Sequence, residues 1–379
     1  MMKLGIAVLG ATGYIGTPYR EEIRESGAET RIVTLCARRR DRLEAAQQKD
    51  KADLITDDWQ AAINHPDVNC VVVATPDALH FEPVMACAAL DKHVFCEKPV
   101  GLNADQAYQI WTAFQNKPLG HFVPFWTRYV PVFARAREFV QSGALGEIRS
   151  VIYRWHNPRP TSIPFTWRDD ATLSAAGSIA DVGSHAYDTI RWIIDQEANR
   201  VLAHAEVLAP AKPDLGPIDL TEAIDMGQKQ EAVETTILRK GTAFDYANII
   251  WQFHGGAVGS LVLSHAPTLR KGLAPEVELH GTEGSLAIDR LQNKLTLVRP
   301  DGTVELLETV PNPGFGNRFV KHVFPAISDR ASGETSEHPG LYDGWRVQVF
   351  TDAVVASVER GAWVALSEFD SQSNDVTRA

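Results

Sequence analysis

Cysteine is scarce: four in 379 residues, at Cys36, Cys70, Cys87 and Cys96. No two form a C-x-x-C pair, which argues against a zinc site and offers no disulfide framework. Three fall in strand-like apolar runs and Cys87 in a helix-like one, so buried free thiols are expected. Long apolar runs are missing too. No stretch reaches the roughly 18 residues of a membrane span. The opening "MMKLGIAVLGATGYIG" has one basic residue, a short apolar run and then glycines that suit a turn better than a cleavage site. The expectation is a cytoplasmic protein with no membrane partner. Positive charge is in deficit, 37 Lys and Arg against 48 Asp and Glu, for a formal net charge of −11. Nucleic acid and anionic lipid call for the opposite sign, so neither is expected as a partner. Internal repeats and low-complexity tracts are also absent.

What is present is a globular composition, 44% hydrophobic and 22% charged. The length suits two or three domains at about 150 residues each. The first 125 residues alternate short apolar runs (Leu4–Leu9, Arg31–Cys36, Asn69–Ala74, His93–Cys96, Gly120–Pro124) with helix-like segments (Pro18–Ser26, Arg40–Lys49, Leu79–Leu90, Ala104–Asn116). That alternation means βαβ units around a parallel sheet buried on both faces. After about residue 145 the pattern becomes that of half-buried strands, as in "GEIRSVIYRWHN", "NIIWQFHGGAVGSLVLSHA" and "PEVELHGTEGSLAID". Asp301-Gly302 between two alternating runs signals a hairpin. The expected fold is α/β: a domain of βαβ units with a parallel sheet over 1–125, an α/β domain with a large open, mostly antiparallel sheet over 126–366, and a polar tail over 367–379. Helices are expected at Ser178–Ile194 and Tyr342–Arg360, and Pro210–Phe244 reads as an excursion from the sheet. The runs "WQFHGGAVGSLVL" and "VELHGTEGSLAI" are apolar enough to pair sheet to sheet, so a homo-oligomer, dimer or tetramer, is expected.

"GATGYIG" (10–16) lies between a strand-like and a helix-like run, the setting a dinucleotide loop requires. Gly13 and Gly16 hold the second and third positions of G-x-G-x-x-G, and Ala11, preceded by Gly10, holds the first. Gly10, Ala11, Thr12, Gly13, Tyr14 and Ile15 are therefore candidate cofactor contacts, with pyrophosphate at a helix N-terminus. At the end of the second strand, "TLCARRRDR", Ala37 stands where an NAD enzyme places an acid, and Arg38 follows. An Arg there suits a 2′-phosphate, which favours NADP(H) over NAD(H). A solvated helix start is the other reading of these arginines.

Ligands of open α/β sheets sit outside the carboxyl ends of the strands. That rule places Thr75, Pro76, His80, Glu97 and Lys98 at the cofactor cleft. Pro99 holds Lys98 away from helical backbone, in a trans or cis peptide. Downstream, Asp181 and His185 are four apart and share a helix face, with Asp188 a turn further on. A histidine beside a carboxylate is suited to taking a proton from an alcohol.

Taken together, "GATGYIG", "ATPDALHFEPVMACAAL", "HVFCEKPVGLN", "SGALGEI", "GSIADVGSHAYD" and "HGTEGSLAI" resemble the Gfo/Idh/MocA oxidoreductases, from the N-terminus to about residue 290. The resemblance implies a Rossmann domain followed by an α/β domain with an open sheet. It also implies hydride transfer between nicotinamide and a ring or polyol carbon of a sugar, inositol or sugar derivative, without a metal. It gives catalytic roles to Lys98, to Asp181 as substrate-orienting carboxylate, and to His185 as the acid–base group. Departures stand at Ala175-Ala176, where the family often has glycines, at Asp77, where it often has Asn, and at Trp126-Thr127-Arg128. They bear on substrate identity. Arg128, Trp167 and Arg168 are candidate substrate contacts, with core packing the other reading of Trp167. Two alternatives use the same fold: a glycoside-cleaving enzyme with internal oxidation and reduction, and a dinucleotide-sensing regulator. A pure sensor has no use for the proton relay.

Overall fold

The computed structural model describes residues 2–27, 29–174, 176–229 and 237–370. The chain divides into two compact units. The first holds Met1–Pro124, Pro217–Asp225 and Gly316–Gln348; the second holds Phe125–Gly216, Met226–Phe315 and the chain from Val349. The contiguous partition expected at 125/126 is therefore corrected, because two later stretches return to the first unit. The reason for one of them is electrostatic. Residues 217–225 lie in the expected excursion and carry Asp219 and Glu222, which pair with Arg42, and Glu222 with Arg39, beside the second strand.

In the first unit, strands β1 (Leu4–Leu9), β2 (Thr30–Cys36), β3 (Leu54–Thr56), β4 (Cys70–Val73), β5 (His93–Cys96) and β6 (His121–Phe122) form one parallel sheet in the order β3-β2-β1-β4-β5-β6. This is the doubly wound dinucleotide-binding order. Helices α1 (Gly16–Arg24), α2 (Arg40–Asp50), α3 (Trp59–Ile63), α4 (Phe81–Ala89) and α5 (Ala104–Phe114) alternate with the strands. The central strands are apolar without alternation because both faces are covered: Cys70, Val71, Val72 and Val73 are all fully buried. All four cysteines are buried and free, and burial pushes the Cys36 thiol up to about 11. Asp58 caps α3 and Asn103 caps α5 through side-chain oxygens. β3 and α3 escaped the pattern reading: β3 is three residues long with only Ile55 buried, which leaves no apolar run, and α3 is a five-residue turn of helix.

The second unit begins with α6 (Pro131–Gln141), β7 (Ile148–His156), α7 (Ser184–Ile194) and β8 (Ala198–Glu206). The excursion contains β9 (Lys212–Pro213), α8 (Leu220–Lys229) and β10 (Leu238–Arg239); its residues 230–236 lie outside the described ones. Then follow β11 (Tyr246–Phe253), β12 (Val258–Ser264), β13 (Val277–Gly281), β14 (Ser285–Asp289), β15 (Lys294–Val298) and β16 (Val304–Thr309). Further on, α9 (Phe324–Ala331) lies in the stretch Gly316–Gln348 of the first unit, α10 (Leu341–Arg360) starts in that stretch, and β17 (Val364–Ala365) belongs to the second unit. Nine strands make one open sheet in the order β16-β15-β14-β13-β7-β12-β11-β8-β17, antiparallel except where β12 meets β7. The hairpin expected at Asp301-Gly302 joins β15 to β16, with Gly302 at φ +85°. Alternation buries Ala247, Ile249, Trp251 and Phe253 on one face of β11. Trp251 pairs with Gly259 across the ladder. A Cβ at Gly259 would stand 2.1 Å from the indole, so only glycine leaves room for it. Tyr187 of α7 crosses Trp251 edge-on at 6.4 Å and stacks on Phe350 at 3.8 Å, which fixes α7 on this face. Ile250 and Val258 face the other way and are exposed.

Near the C-terminus, Glu368 pairs with Arg360 at 2.6 Å. The remainder of the expected polar tail, 371–379, lies outside the described residues, as does Ala175. No helix among the described residues is long and apolar enough to cross a membrane.

Candidate functional site

The loop from β1 to α1 is built from missing side chains. Gly10 has φ +75°, and a Cβ there would lie 2.3 Å from the Ala74 carbonyl oxygen. Gly16 backs onto Gly10 so closely that its Cβ would meet the Gly10 oxygen at 2.2 Å. Gly13 differs, because its Cβ would meet only that oxygen, at 3.3 Å. The first two are needed to fold the loop, and the third leaves backbone open at the start of α1, the approach a pyrophosphate requires. Ala11 is buried, Thr12 and Ile15 are half-buried and Tyr14 is exposed. The amides of Gly10 and Ala11 donate to Cys36 O at the end of β2. Beneath the loop the Arg20 guanidinium donates to Ala11 O at 2.7 Å and to buried Asp50 at 2.6 Å, and Asp50 also takes Arg24. These residues fit a dinucleotide.

Arg38 follows β2 and is exposed. Its neighbours are engaged: Arg39 and Arg42 hold Glu222, and Arg40 holds Glu44. Among the described residues the Arg38 guanidinium has no hydrogen-bond or ion-pair partner. The ring of His80 is fully buried. It spans from Thr75 O, at 2.8 Å, to Pro99 O, at 2.6 Å, so it ties the turn after β4 to the turn after β5. Pro76 sets up the first turn, in which its oxygen accepts from Leu79 N. The Lys98–Pro99 peptide is cis. Glu97 accepts from Tyr19 OH through one oxygen and from Lys98 N, at 3.1 Å, through the other. Burial pushes the Glu97 carboxyl up, and Lys98 and Tyr19 oppose it.

In the second unit a single π turn, Ile179–Gly183, runs into α7. It carries Asp181, and His185 lies in the first turn of α7. The His185 ring sits between Phe125, edge-on at 5.9 Å, and Trp155, nearly parallel at 6.1 Å. Asp181 accepts from Arg159 at 2.8 Å on one oxygen and from Arg168 at 2.8 Å on the other; His265 Nε2 lies 3.1 Å away. Burial pulls both Arg159 and His265 below their ordinary values, and Asp181 opposes the shift in each. A capping box between Thr166 and Asp169 shapes the turn that presents Trp167 and Arg168, and the guanidinium of Arg168 lies 4.9 Å from the Trp167 ring centre. Trp167 is half-buried and is not part of the core. Arg128 is buried and grips fully buried Asp188 through two bonds, 2.7 and 2.5 Å. That geometry makes it a clamp on α7.

So Glu97, Lys98, His80, Thr75 and the glycine loop form one connected group in the first unit, and Trp167, Arg168 and Asp181 form another in the second. Tyr19, Arg20, Arg159, Ser178 and His265 are further members. Tyr19 and Arg20 were signalled by polar groups on the buried stripe of α1. Arg159 and His265, 106 residues apart, gave no local signal.

Comparison with known proteins follows this division. Residues 4–124 match the model described as oxidoreductase family, NAD-binding Rossmann fold, and residues 133–287 match the GFO/IDH/MocA C-terminal domain. A levoglucosan dehydrogenase of Pseudarthrobacter phenanthrenivorans is 28% identical over 344 residues, 83% of this chain and 84% of that protein. A myo-inositol 2-dehydrogenase of Thermotoga maritima is 25% identical over 79% of this chain and 78% of its own. The crystal structure of an oxidoreductase domain protein from Kribbella flavida superposes with a TM-score of 0.81 at 24% identity, over 97% of this chain and all of the other.

Proposed function

Because this chain belongs to the GFO/IDH/MocA family of NAD(P)-dependent oxidoreductases, we propose that it oxidises a carbinol carbon of a sugar, inositol or related polyol, or reduces the matching ketone. Nicotinamide, when bound, supplies the hydride acceptor or donor. His185 takes the hydroxyl proton in oxidation and returns it in reduction. Lys98 donates a hydrogen bond to the reacting oxygen, and Asp181 orients the substrate. The loop Gly10–Ile15 cradles the pyrophosphate, with Thr75 and Pro76 beside it. Arg38 pairs with a 2′-phosphate, which makes NADP(H) the preferred cofactor. Trp167 offers an aromatic face to the C–H face of a ring. His80 and Arg128 hold their elements in place without touching the reacting atoms.

The glycine loop carries this reading: Gly10 and Gly16 are packed against backbone while Gly13 is left open. The likeness to levoglucosan and inositol dehydrogenases supports the substrate class. The test is nicotinamide absorbance over a panel of sugars, polyols and glycosides, with NADP⁺ and NAD⁺ in parallel. Stoichiometric reduction with one compound is expected. A glycoside cleaved without net reduction would overturn the reading. We also propose a homo-oligomer through the sheet face bearing Ile250 and Val258. Light scattering that gives a monomer would refute it.

A further inference from the structure

Lys98 stands just past the end of β5, and one chain of contacts that sets its backbone starts in α1. Tyr19 lies in the first turn of α1, the helix that follows the glycine loop. It is 2% exposed. Its ring centre lies 4.6 Å from that of Phe95, and the Arg318 guanidinium stands over it at 5.2 Å, held in turn by Glu22 at 2.6 Å. A phenylalanine would fill that space equally well, so the hydroxyl calls for its own account. It donates to one oxygen of Glu97, and the other oxygen of Glu97 accepts from Lys98 N at 3.1 Å. Burial pushes the Glu97 carboxyl up, while Lys98, Tyr19 and His80 pull it down. A carboxylate drawn out of water is kept charged by the donors that meet it. The residue after Lys98 is pinned as well, since the His80 ring lies 2.6 Å from Pro99 O. The Lys98 backbone is therefore fixed from both sides, and on one side the fixing runs from Tyr19 through Glu97.

We propose that Tyr19 is a positioning residue for the reaction: through Glu97 its hydroxyl fixes the Lys98 backbone, and so the place where the ammonium meets the reacting oxygen. The proposal rests on the role of Lys98 in the oxidoreductase reading. Tyr19 acts through Glu97 and needs no contact with substrate. A reacting group misplaced by about 1 Å can cost about 10²-fold in rate, so a bond two residues removed from the chemistry carries weight. The helix that faces the pyrophosphate then also sets the lysine, and one element holds both.

The experiment compares the wild type with two variants of α1. Tyr19→Phe keeps the ring and removes the hydroxyl. Ile23→Val trims another buried residue of α1 and leaves Glu97 its partners. Lysines are reductively methylated with isotope-labelled formaldehyde, and the Lys98 signal in the carbon–proton NMR spectrum is assigned by its loss in Lys98→Met. In parallel, kcat and cofactor affinity are measured with the compound that the substrate panel identifies. Tyr19→Phe is expected to move the Lys98 signal and to lower kcat about 10-fold, with cofactor affinity within about 2-fold of wild type. Ile23→Val is expected to lower the melting temperature and to leave the signal and kcat unchanged. An unmoved Lys98 signal in Tyr19→Phe, or an unchanged kcat, overturns the positioning role and leaves the oxidoreductase reading standing. So does an Ile23→Val variant that reproduces both changes, because they would then reflect a general loosening of α1. If no compound of the panel is turned over, the spectrum decides. A signal that moves in Tyr19→Phe and not in Ile23→Val supports the positioning of Lys98 while the oxidoreductase reading fails; no such selective movement overturns both.

Discussion

The two units do their work with opposite materials. The first binds through backbone: its loop needs side chains to be absent, at Gly10 by φ and by approach to Ala74, at Gly16 by approach to Gly10. The second works through charged side chains, with Asp181 shared by Arg159 and Arg168 and Asp188 gripped by Arg128. A backbone device is local, since a few consecutive residues set its shape. A charge cluster is assembled from distant segments and is only as strong as its most desolvated pair. The difference teaches where each unit is vulnerable: the first to an added methyl group, the second to a lost charge.

The largest effect is expected where chemistry depends on one proton. His185→Asn is predicted to lower kcat by about 10²–10⁴-fold, and Lys98→Met by a similar factor, with cofactor affinity unchanged for His185→Asn. Stopped-flow kinetics and cofactor titration separate the two quantities. Unchanged kcat in either variant would remove that residue from the proposed roles. Next comes the clamp. Arg128→Met removes the two-bond partner of fully buried Asp188, and Arg191 stands further off at 3.6 Å, so it is expected to cost about 3–5 kcal/mol in urea unfolding. Selective loss of substrate affinity at full stability would return Arg128 to the substrate contacts.

These sites were unequally legible. β1 and β5 read at their residue limits, because a parallel strand buried on both faces has an unbroken apolar run. The glycine loop read because motif and conformation share the same seven residues. Asp181 and His185 are four apart as in one helix, but Asp181 lies in a π turn and only His185 in α7, which the sequence spacing does not reveal. The bond from Arg128 to Asp188 was not legible. The two lie 60 residues apart, and nothing local distinguishes a clamp from a ligand contact. The return of Gly316–Gln348 to the first unit was also invisible. It depends on fits such as Gly120, whose Cβ would stand 2.3 Å from the Ile327 oxygen of α9.

The glycines themselves sharpen the contrast. Gly16→Ala drives a methyl group into the Gly10 carbonyl, and about 1–3 kcal/mol of stability is expected to go with or without cofactor. Gly13→Ala meets only the Gly10 oxygen, at 3.3 Å, a tight contact that a small shift relieves, so the unliganded protein should melt within about 1 kcal/mol of wild type while cofactor binds more weakly. Thermal melts with and without NADP⁺ distinguish the two. If Gly13→Ala destabilises the unliganded protein as much as Gly16→Ala, then all three glycines are folding requirements and the open backbone at Gly13 is not a ligand site.

The smallest expected effect tests the one place where the first unit is to recognise its ligand by charge. Arg39, Arg40 and Arg42 each pair with an acid, and Arg38 has none among the described residues. A guanidinium that no protein acid neutralises, at the carboxyl end of β2, suits a 2′-phosphate, and such a charge-assisted contact is worth about 1.5–3 kcal/mol. Arg38→Ala should therefore lower NADPH affinity by about 10-fold or more and leave NADH affinity nearly unchanged, so the ratio of the two moves in one direction. Glu222→Gln separates this from general electrostatics. It loosens Arg39 and Arg42 and leaves Arg38 alone, so it should leave the ratio within about 2-fold. A ratio that follows Glu222 and ignores Arg38 would move the cofactor choice to the paired arginines, and Arg38 would then be surface charge at a helix start.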